Sequence, residues 1–350
     1  MKNLTIGGKS MRVVTLAKAD ETKLYDVLKK FGEVWAPVKG GDAWRYEKIC
    51  CGEKMTGNPT RTILPVKKLL MPTELNMLDF TPEGFNKAKE EIPTRVLVGI
   101  HPCGINAVNI LDEFYTTDYS DPFYTERREK LILIGKSCTP DEYCFCDETD
   151  TKIVEKGYDL FFTDLGDQYL VWIGSSKGDD IIREGSELFN QDVPADVADK
   201  FVSWRKDQNS KFSHDIDLEG VVDLMELEYD ADFWKELGEK CLSCGQCTMV
   251  CPTCTCFNTL DNMELNKPEG HRSRYWDSCM FREYSLVAGG ENFREARADR
   301  LKLWYTHKLK AFIGLFGSPS CVGCGRCITT CPVDINVKTV AAHLKGKEVK

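Results

Sequence analysis

Eight cysteines in two matched runs constrain this chain more than any other feature. Cys241, Cys244, Cys247 and Cys251-Pro252 fall in CLSCGQCTMVCP, and Cys321, Cys324, Cys327 and Cys331-Pro332 fall in CVGCGRCITTCP. Each run carries the C-x-x-C-x-x-C-x-x-x-C-P spacing of a two-cluster ferredoxin. Three closely spaced cysteines wrap a short loop around one iron–sulfur cube and leave its last iron to a thiolate from elsewhere. In two-cluster ferredoxins that thiolate is the Cys before Pro of the other run. The spacing therefore assigns Cys241, Cys244, Cys247 and Cys331 to one [4Fe–4S] cluster, and Cys321, Cys324, Cys327 and Cys251 to its neighbour. Gly245 and Gly325 suit the loops, because glycine takes positive φ cheaply and lets backbone N–H groups approach the sulfurs. Zinc also uses C-x-x-C pairs, but it needs four ligands per site and no crossed sets, so two matched runs both ending in Cys-Pro argue against it. A disulfide framework fits less well. A chain of 350 residues can bury a core without staples, and MKNLTIGGKS has no apolar h-region.

The rest of the composition describes a soluble cytoplasmic protein of two domains, at 42% apolar and 29% charged. The apolar runs at 96–100 and 131–134 are strand-length and far short of a membrane span. A net charge of −9 argues against a nucleic-acid surface. The one markedly basic stretch, 294–310, reads as the solvated face of a helix rather than a docking surface.

Periodicity divides the chain into a mixed α/β N-terminal domain, 1–230, and an all-α C-terminal domain, 231–350, of the α-helical ferredoxin kind. In the first, helical spacing covers 20–31, and strands are expected at 96–100, 131–134, 160–163 and 169–173. The last two form an antiparallel pair across Leu165-Gly166-Asp167. Helices follow at 104–114 and 180–188, and polar residues 190–211 read as a helical linker. FWKELGEK then leads as a helix into the first cysteine run. The stretch between Cys251 and Cys321 is too long for the short β-rich connection of a small bacterial ferredoxin. Helices are expected there at 280–288 and 293–312.

A second constellation is Cys103, Cys138, Cys144 and Cys146. Cys103 and Cys138 follow two of the expected strands, so both thiols emerge at the same end of a parallel sheet, where open α/β folds place their sites. Cys144-Phe145-Cys146 lies on the loop just beyond. Four thiolates suffice for a third [4Fe–4S] cluster. The alternatives are small buried hydrophobes or a zinc site. The polar setting TPDEYCFCDETD is a poor place for buried packing, which favours the cluster. Cys50 and Cys51 are adjacent, awkward ligands for one metal, and read as packing or surface thiols. Cys254, Cys256 and Cys279 read as packing residues near a cluster, since three thiols do not complete a cubane's ligand set.

Other chemistry is weakly written. IGGKS has Asn3 where a P-loop needs its first Gly and reads as a turn, and no G-x-G-x-x-G follows a strand, so no flavin or NAD is expected in this chain. His101, His214, His271, His307 and His343 show no metal-binding spacing and read as structural. Trp172, Trp276 and Trp304 read as core or interface aromatics. Arg326, between Cys324 and Cys327, is expected to raise the potential of its cluster relative to the one beside Gln246.

HPCGINAVNILDEFY, LILIGKSC with CFC, YDLFFTDLGDQYLVWIGS, CLSCGQCTMVCPTCTCF, RYWDSCMFREYSLVAGGENFREARADRL and CVGCGRCITTCPVDI occur in this order. Together they resemble the iron–sulfur β subunit of cytoplasmic sulfhydrogenases. They are equally similar to the corresponding iron–sulfur subunit of anaerobic sulfite reductase and to the related subunit of flavin oxidoreductases that feed heterodisulfide reductase. The chain departs from these at His101-Pro102-Cys103-Gly104, where relatives commonly read Arg-Pro-Cys-Asp. The resemblance implies a non-catalytic relay between a flavin subunit oxidising NAD(P)H and a downstream redox subunit; charge and run length, as above, leave no expected nucleic-acid or membrane partner. Two other classes compete. One is a self-contained reductase holding a flavin or substrate in its N-terminal domain, and the other is an iron–sulfur scaffold without a relay role.

Overall fold

Apolar runs such as VLVGI and LILIG have no polar side to turn toward water, so their strands must be covered on both faces, as in a parallel sheet between helices. The computed structural model, which describes residues 3–6, 9–213 and 216–347, bears this out. His214 and the Gly7-Gly8 of IGGKS lie outside the described residues. In chain order the strands are β1 (Asn3–Ile6), β2 (Lys9–Ala17), β3 (Glu33–Gly40), β4 (Ala43–Lys48), β5 (Glu74–Thr81), β6 (Gly84–Lys87) and β7 (Arg95–Ile100). They continue with β8 (Leu131–Lys136), β9 (Leu160–Asp164), β10 (Gln168–Ile173), β11 (Phe189–Asn190), β12 (Phe257–Met263) and β13 (Gly270–Trp276). The large sheet runs β1-β2-β10-β9-β8-β7-β3-β4, with β11 also on β2. Neighbours β3, β7, β8 and β9 are parallel, and the others antiparallel, including the expected β9–β10 pair.

The period-two rule divides the core. Leu131 and Leu133 of β8 face one apolar cluster with Leu97, Leu170 and Trp172. Ile132 and Ile134 face the other with Val96, Val98 and Val171. Helix Pro102–Thr116 covers the first face through Ile105, Val108, Leu111 and Tyr115. Helices Leu24–Leu28 and Ser176–Glu184 supply Val27, Leu28, Ile181 and Ile182 to the second. The expected linker contains helix Asp196–Asn209, but it is pinned: Val197 is fully buried and the Phe201 ring lies 5.2 Å from that of Trp172.

The C-terminal part departs from the all-α expectation. A β-hairpin, β12–β13, follows the first cysteine run, and β13 pairs with β5 in a second sheet ordered β12-β13-β5-β6. Polar residues dominate FNTLDNM and GHRSRYW, so the segments lack apolar alternation, and the partner strand lies far upstream. The local clue was the turn chemistry of Asn266-Lys267-Pro268-Glu269-Gly270. The helix expected at 280–288 is a single short turn, Glu283–Ser285, and Gly289 and Gly290 take φ of 100° and 87° beyond it. The second expected helix begins later, at Arg297, and continues to Phe316 through a π-helical turn at His307–Ala311. Among the described residues no helix is long and apolar enough to cross a membrane.

Candidate iron–sulfur centres

The two cysteine runs fold into matching loops. Ser243 and Gly323 take φ of 51° and 58°, and Gly245 and Gly325 take 73° and 70°. Each loop closes onto a short helix, Gln246–Met249 or Arg326–Thr330. Positive φ is strained for Ser243, and its surroundings hold it: its N–H donates to Cys241 Sγ at 3.3 Å, and its hydroxyl accepts from Arg300 Nη2 at 3.2 Å. In the other run, the N–H of Ile335 donates to Cys331 Sγ at 3.3 Å.

Cys241, Cys244, Cys247 and Cys331 line one cavity, together with Cys327, Trp304 and Tyr305. The cysteine before Pro of the second run thus lies beside the cysteines of the first. Its charge opposes ionisation of Cys241 and Cys247, and Cys251 does the same for Cys321 and Cys327. Burial is the larger cause in all four, and it pushes Cys321 up to about 12. A metal cation would offset this penalty, because binding takes the deprotonated thiol. Among the described residues no three or more His, Cys, Asp or Glu side chains converge on a single metal ion.

The cysteines of the third constellation lie near one another, and Cys144 stands outside the cavity that the other three line. Cys103 opens helix Pro102–Thr116 directly after β7, and Cys138 follows the parallel neighbour β8. Cys103, Cys138 and Cys146 line a cavity capped by Trp204, Gln208 and Phe212. Cys138 and Cys146 each feel the charges of Cys103 and Cys144, after a larger effect of burial. Burial also raises Cys144 to about 11 and Cys103 to about 12, and Cys103 feels Cys324 of the second ferredoxin loop.

That last coupling reflects direct packing between the two loops. Phe145 N–H donates to Gly323 O at 2.9 Å, and Thr151 Oγ1 donates to Val322 O at 2.8 Å. Phe145 itself is buried in the C-terminal apolar cluster. Arg61 joins both loops, donating to Cys324 O and Cys144 Sγ at 3.4 Å each while paired with Asp141. A Cβ on Gly323 would stand 2.4 Å from Phe145 backbone atoms, at a φ already unsuited to a side chain. Gly323→Ala is therefore expected to cost on the order of 2 kcal/mol or more and to pry the loops apart. Thermal unfolding together with iron retention checks this, and a variant with parent stability and iron content would contradict it.

Three buried cations adjoin these thiols and, among the described residues, have only neutral hydrogen-bond partners. Lys67 Nζ donates to the carbonyl of Cys254 at 3.0 Å and lies over the Trp276 ring. Lys308 Nζ donates to Thr253 Oγ1 at 3.1 Å, and Arg326 Nε to Thr62 O at 3.0 Å. Burial pulls the pKa of Lys308 down, but Cys251, Cys254 and Cys321 outweigh it and leave the ammonium above its ordinary value. Buried charge needs a counter-charge, and an anionic cluster would supply one.

Sequence reasoning read the basic stretch as a solvated helix face, yet Arg300 and Lys308 are each 4% exposed. The signal was present for Lys308, one turn beyond Trp304 on the apolar face. Nothing local marked Lys67 or Arg61. Cys50 is exposed and Cys51 half-buried, as read, with their sulfurs 3.7 Å apart. Trp172 and Trp304 are core residues.

A family described as a 4Fe-4S dicluster domain matches residues 240–335. The chain is 35% identical over 331 residues to Sulfhydrogenase 2 subunit beta of Pyrococcus furiosus, covering 93% of this chain and 96% of that one. The chain belongs to the sulfhydrogenase β-subunit family. As a member of that family it is an iron–sulfur electron-transfer subunit that binds [4Fe–4S] clusters. Arg326 is placed to matter for this sulfhydrogenase-type relay, since its guanidinium feels both Cys324 and Cys103. Its positive charge favours the reduced state of whatever cluster it faces. Arg326→Gln is expected to lower a cluster potential by on the order of 50 mV, and an unchanged redox titration would remove the idea.

Proposed function

We propose that the chain relays single electrons through three [4Fe–4S] clusters in a cytoplasmic complex. The relay joins a flavin subunit that oxidises NAD(P)H to a downstream redox subunit of hydrogenase, sulfite reductase or heterodisulfide reductase type. One cluster is held by Cys241, Cys244, Cys247 and Cys331, the second by Cys321, Cys324, Cys327 and Cys251, and the third by Cys103, Cys138, Cys144 and Cys146. Residues 231–350 form the ferredoxin unit, and 1–230 carry the outlying station. The observation that carries this reading is continuity. The loop of Cys144 and Cys146 packs on the loop of Cys321 and Cys324, and Cys327 adjoins the cavity of Cys241 and Cys331.

Iron–sulfur clusters supply the one-electron chemistry, and the chain's residues set how readily each accepts an electron. Backbone N–H groups on Cys241 and Cys331 stabilise negative charge, as do the ammonium of Lys308 and the guanidinium of Arg326. The name of the Pyrococcus relative, a subunit of a sulfhydrogenase, supports the existence of partner subunits. No dinucleotide motif is written in this sequence, so NAD(P)H must be oxidised elsewhere. The purified chain is therefore expected not to reduce a dye with NADH or NADPH until a flavin-bearing partner is added. Robust dye reduction by the flavin-free chain alone would refute the proposal.

A further inference from the structure

Two cysteines outside the three sets are brought together by the hairpin. Cys256 immediately precedes β12, and Cys279 follows β13 by three residues. The ladder pairs Phe257 with Trp276, and one step beyond it the N–H of Asp277 donates to the carbonyl of Cys256 at 3.1 Å. The chain leaving β13 thus turns back over Cys256, and Cys256 and Cys279 pack into the same apolar cluster, where each thiol bears on the other's ionisation. The backbone of Cys279 and the hydroxyl of Tyr284 also favour the Cys256 thiolate. Cys279 is 6% exposed, Cys256 is half-buried, and both are free thiols in this structure.

We propose that Cys256 and Cys279 form a dithiol–disulfide couple beside the electron relay, with Cys256 as the thiol that exchanges with an external disulfide. The contact with Cys279, opposed by burial and aided by Tyr284 and Lys308, holds the Cys256 thiol at about 6, in the range of an attacking thiolate. In the first step the Cys256 thiolate attacks one sulfur of the disulfide R–S–S–R, forming a mixed disulfide and releasing RS⁻. Cys279 loses its proton and attacks the Cys256 sulfur, closing the internal disulfide and releasing the second RS⁻. Two electrons and two protons then restore both thiols. Cys279 lies within electrostatic reach of Cys247, so the relay is at hand as a donor of those electrons one at a time. This regeneration rests on the relay reading above, whereas the exchange itself does not.

The test uses the full chain loaded anaerobically with iron and sulfide, with Cys50→Ser and Cys51→Ser removing the surface thiols. It is equilibrated in mixtures of oxidised and reduced glutathione, and of oxidised and reduced dithiothreitol, then quenched in acid, alkylated and mapped by mass spectrometry. The peptides bearing Cys256 and Cys279 should be joined at the oxidising end and separately alkylated at the reducing end, in one two-electron transition. Cys256→Ser or Cys279→Ser should abolish that transition and leave iron content at the parent value. Both residues alkylating as free thiols throughout would overturn the proposal. So would a loss of about four irons in either variant, since the residues would then be cluster ligands. Iron content of the parent sample reports on the relay separately.

Discussion

Anaerobic loading is expected to give about twelve irons and about twelve sulfides per chain, three cubanes rather than two. The expectation rests on Cys103, Cys138, Cys144 and Cys146, which a ferredoxin motif search would overlook. Two of these thiols sit at the ends of adjacent parallel strands, and the other two on the loop that packs against the second ferredoxin motif. Each is penalised for ionising by burial, and in Cys103, Cys138 and Cys146 by the other thiols of the set as well. A bound cation would offset that penalty on the ionised thiols. Replacing Cys144 and Cys146 together by Ala should therefore remove about a third of the iron. A fully loaded chain holding about eight irons, or a double variant with unchanged iron, would make these thiols packing residues.

Cys331→Ala tests the crossing. The residue belongs by sequence to the run of Cys321, Cys324 and Cys327, yet it lines the cavity of Cys241, Cys244 and Cys247. Its removal should damage the cluster of the first run, leaving the cluster of its own run much less affected. The fold should survive, because the neighbouring turn is also held by Asn336, which accepts from the N–H of Thr339 at 3.0 Å. Site-resolved spectroscopy distinguishes the two clusters. Selective loss of the signal from the cluster on Cys321, Cys324 and Cys327 would show that each run keeps its own fourth ligand.

Much of this was legible because it is local. Cysteine spacing specifies a loop, the apolar runs at β7 and β8 specify buried strands, and a thiol directly after each of two neighbouring parallel strands specifies a shared sheet end. The hairpin β12–β13 escaped because its stability comes from pairing with β5, some two hundred positions upstream, and not from its own apolar pattern. Lys67 and Arg61 escaped for a related reason. A lysine or arginine reads as solvent-facing unless something in its neighbourhood says otherwise, and the thiols that give these two their place are far away in sequence. The approach of Cys279 to Cys256 likewise depends on the hairpin, so three scattered cysteines gave no hint of it.

The position of β13 between β12 and β5 has a kinetic meaning. Carrier domains on flexible tethers must swing between donor and acceptor, and their turnover slows in viscous solvent. Here main-chain hydrogen bonds stitch a segment lying between the two ferredoxin motifs to a strand from the first hundred residues. The loop of Cys144 and Cys146 is sewn to the second motif as well. On the proposed relay, such a molecule conducts as a fixed wire rather than a pendulum. Its internal steps are governed by tunnelling distance and driving force, and any diffusive search is confined to docking with other subunits.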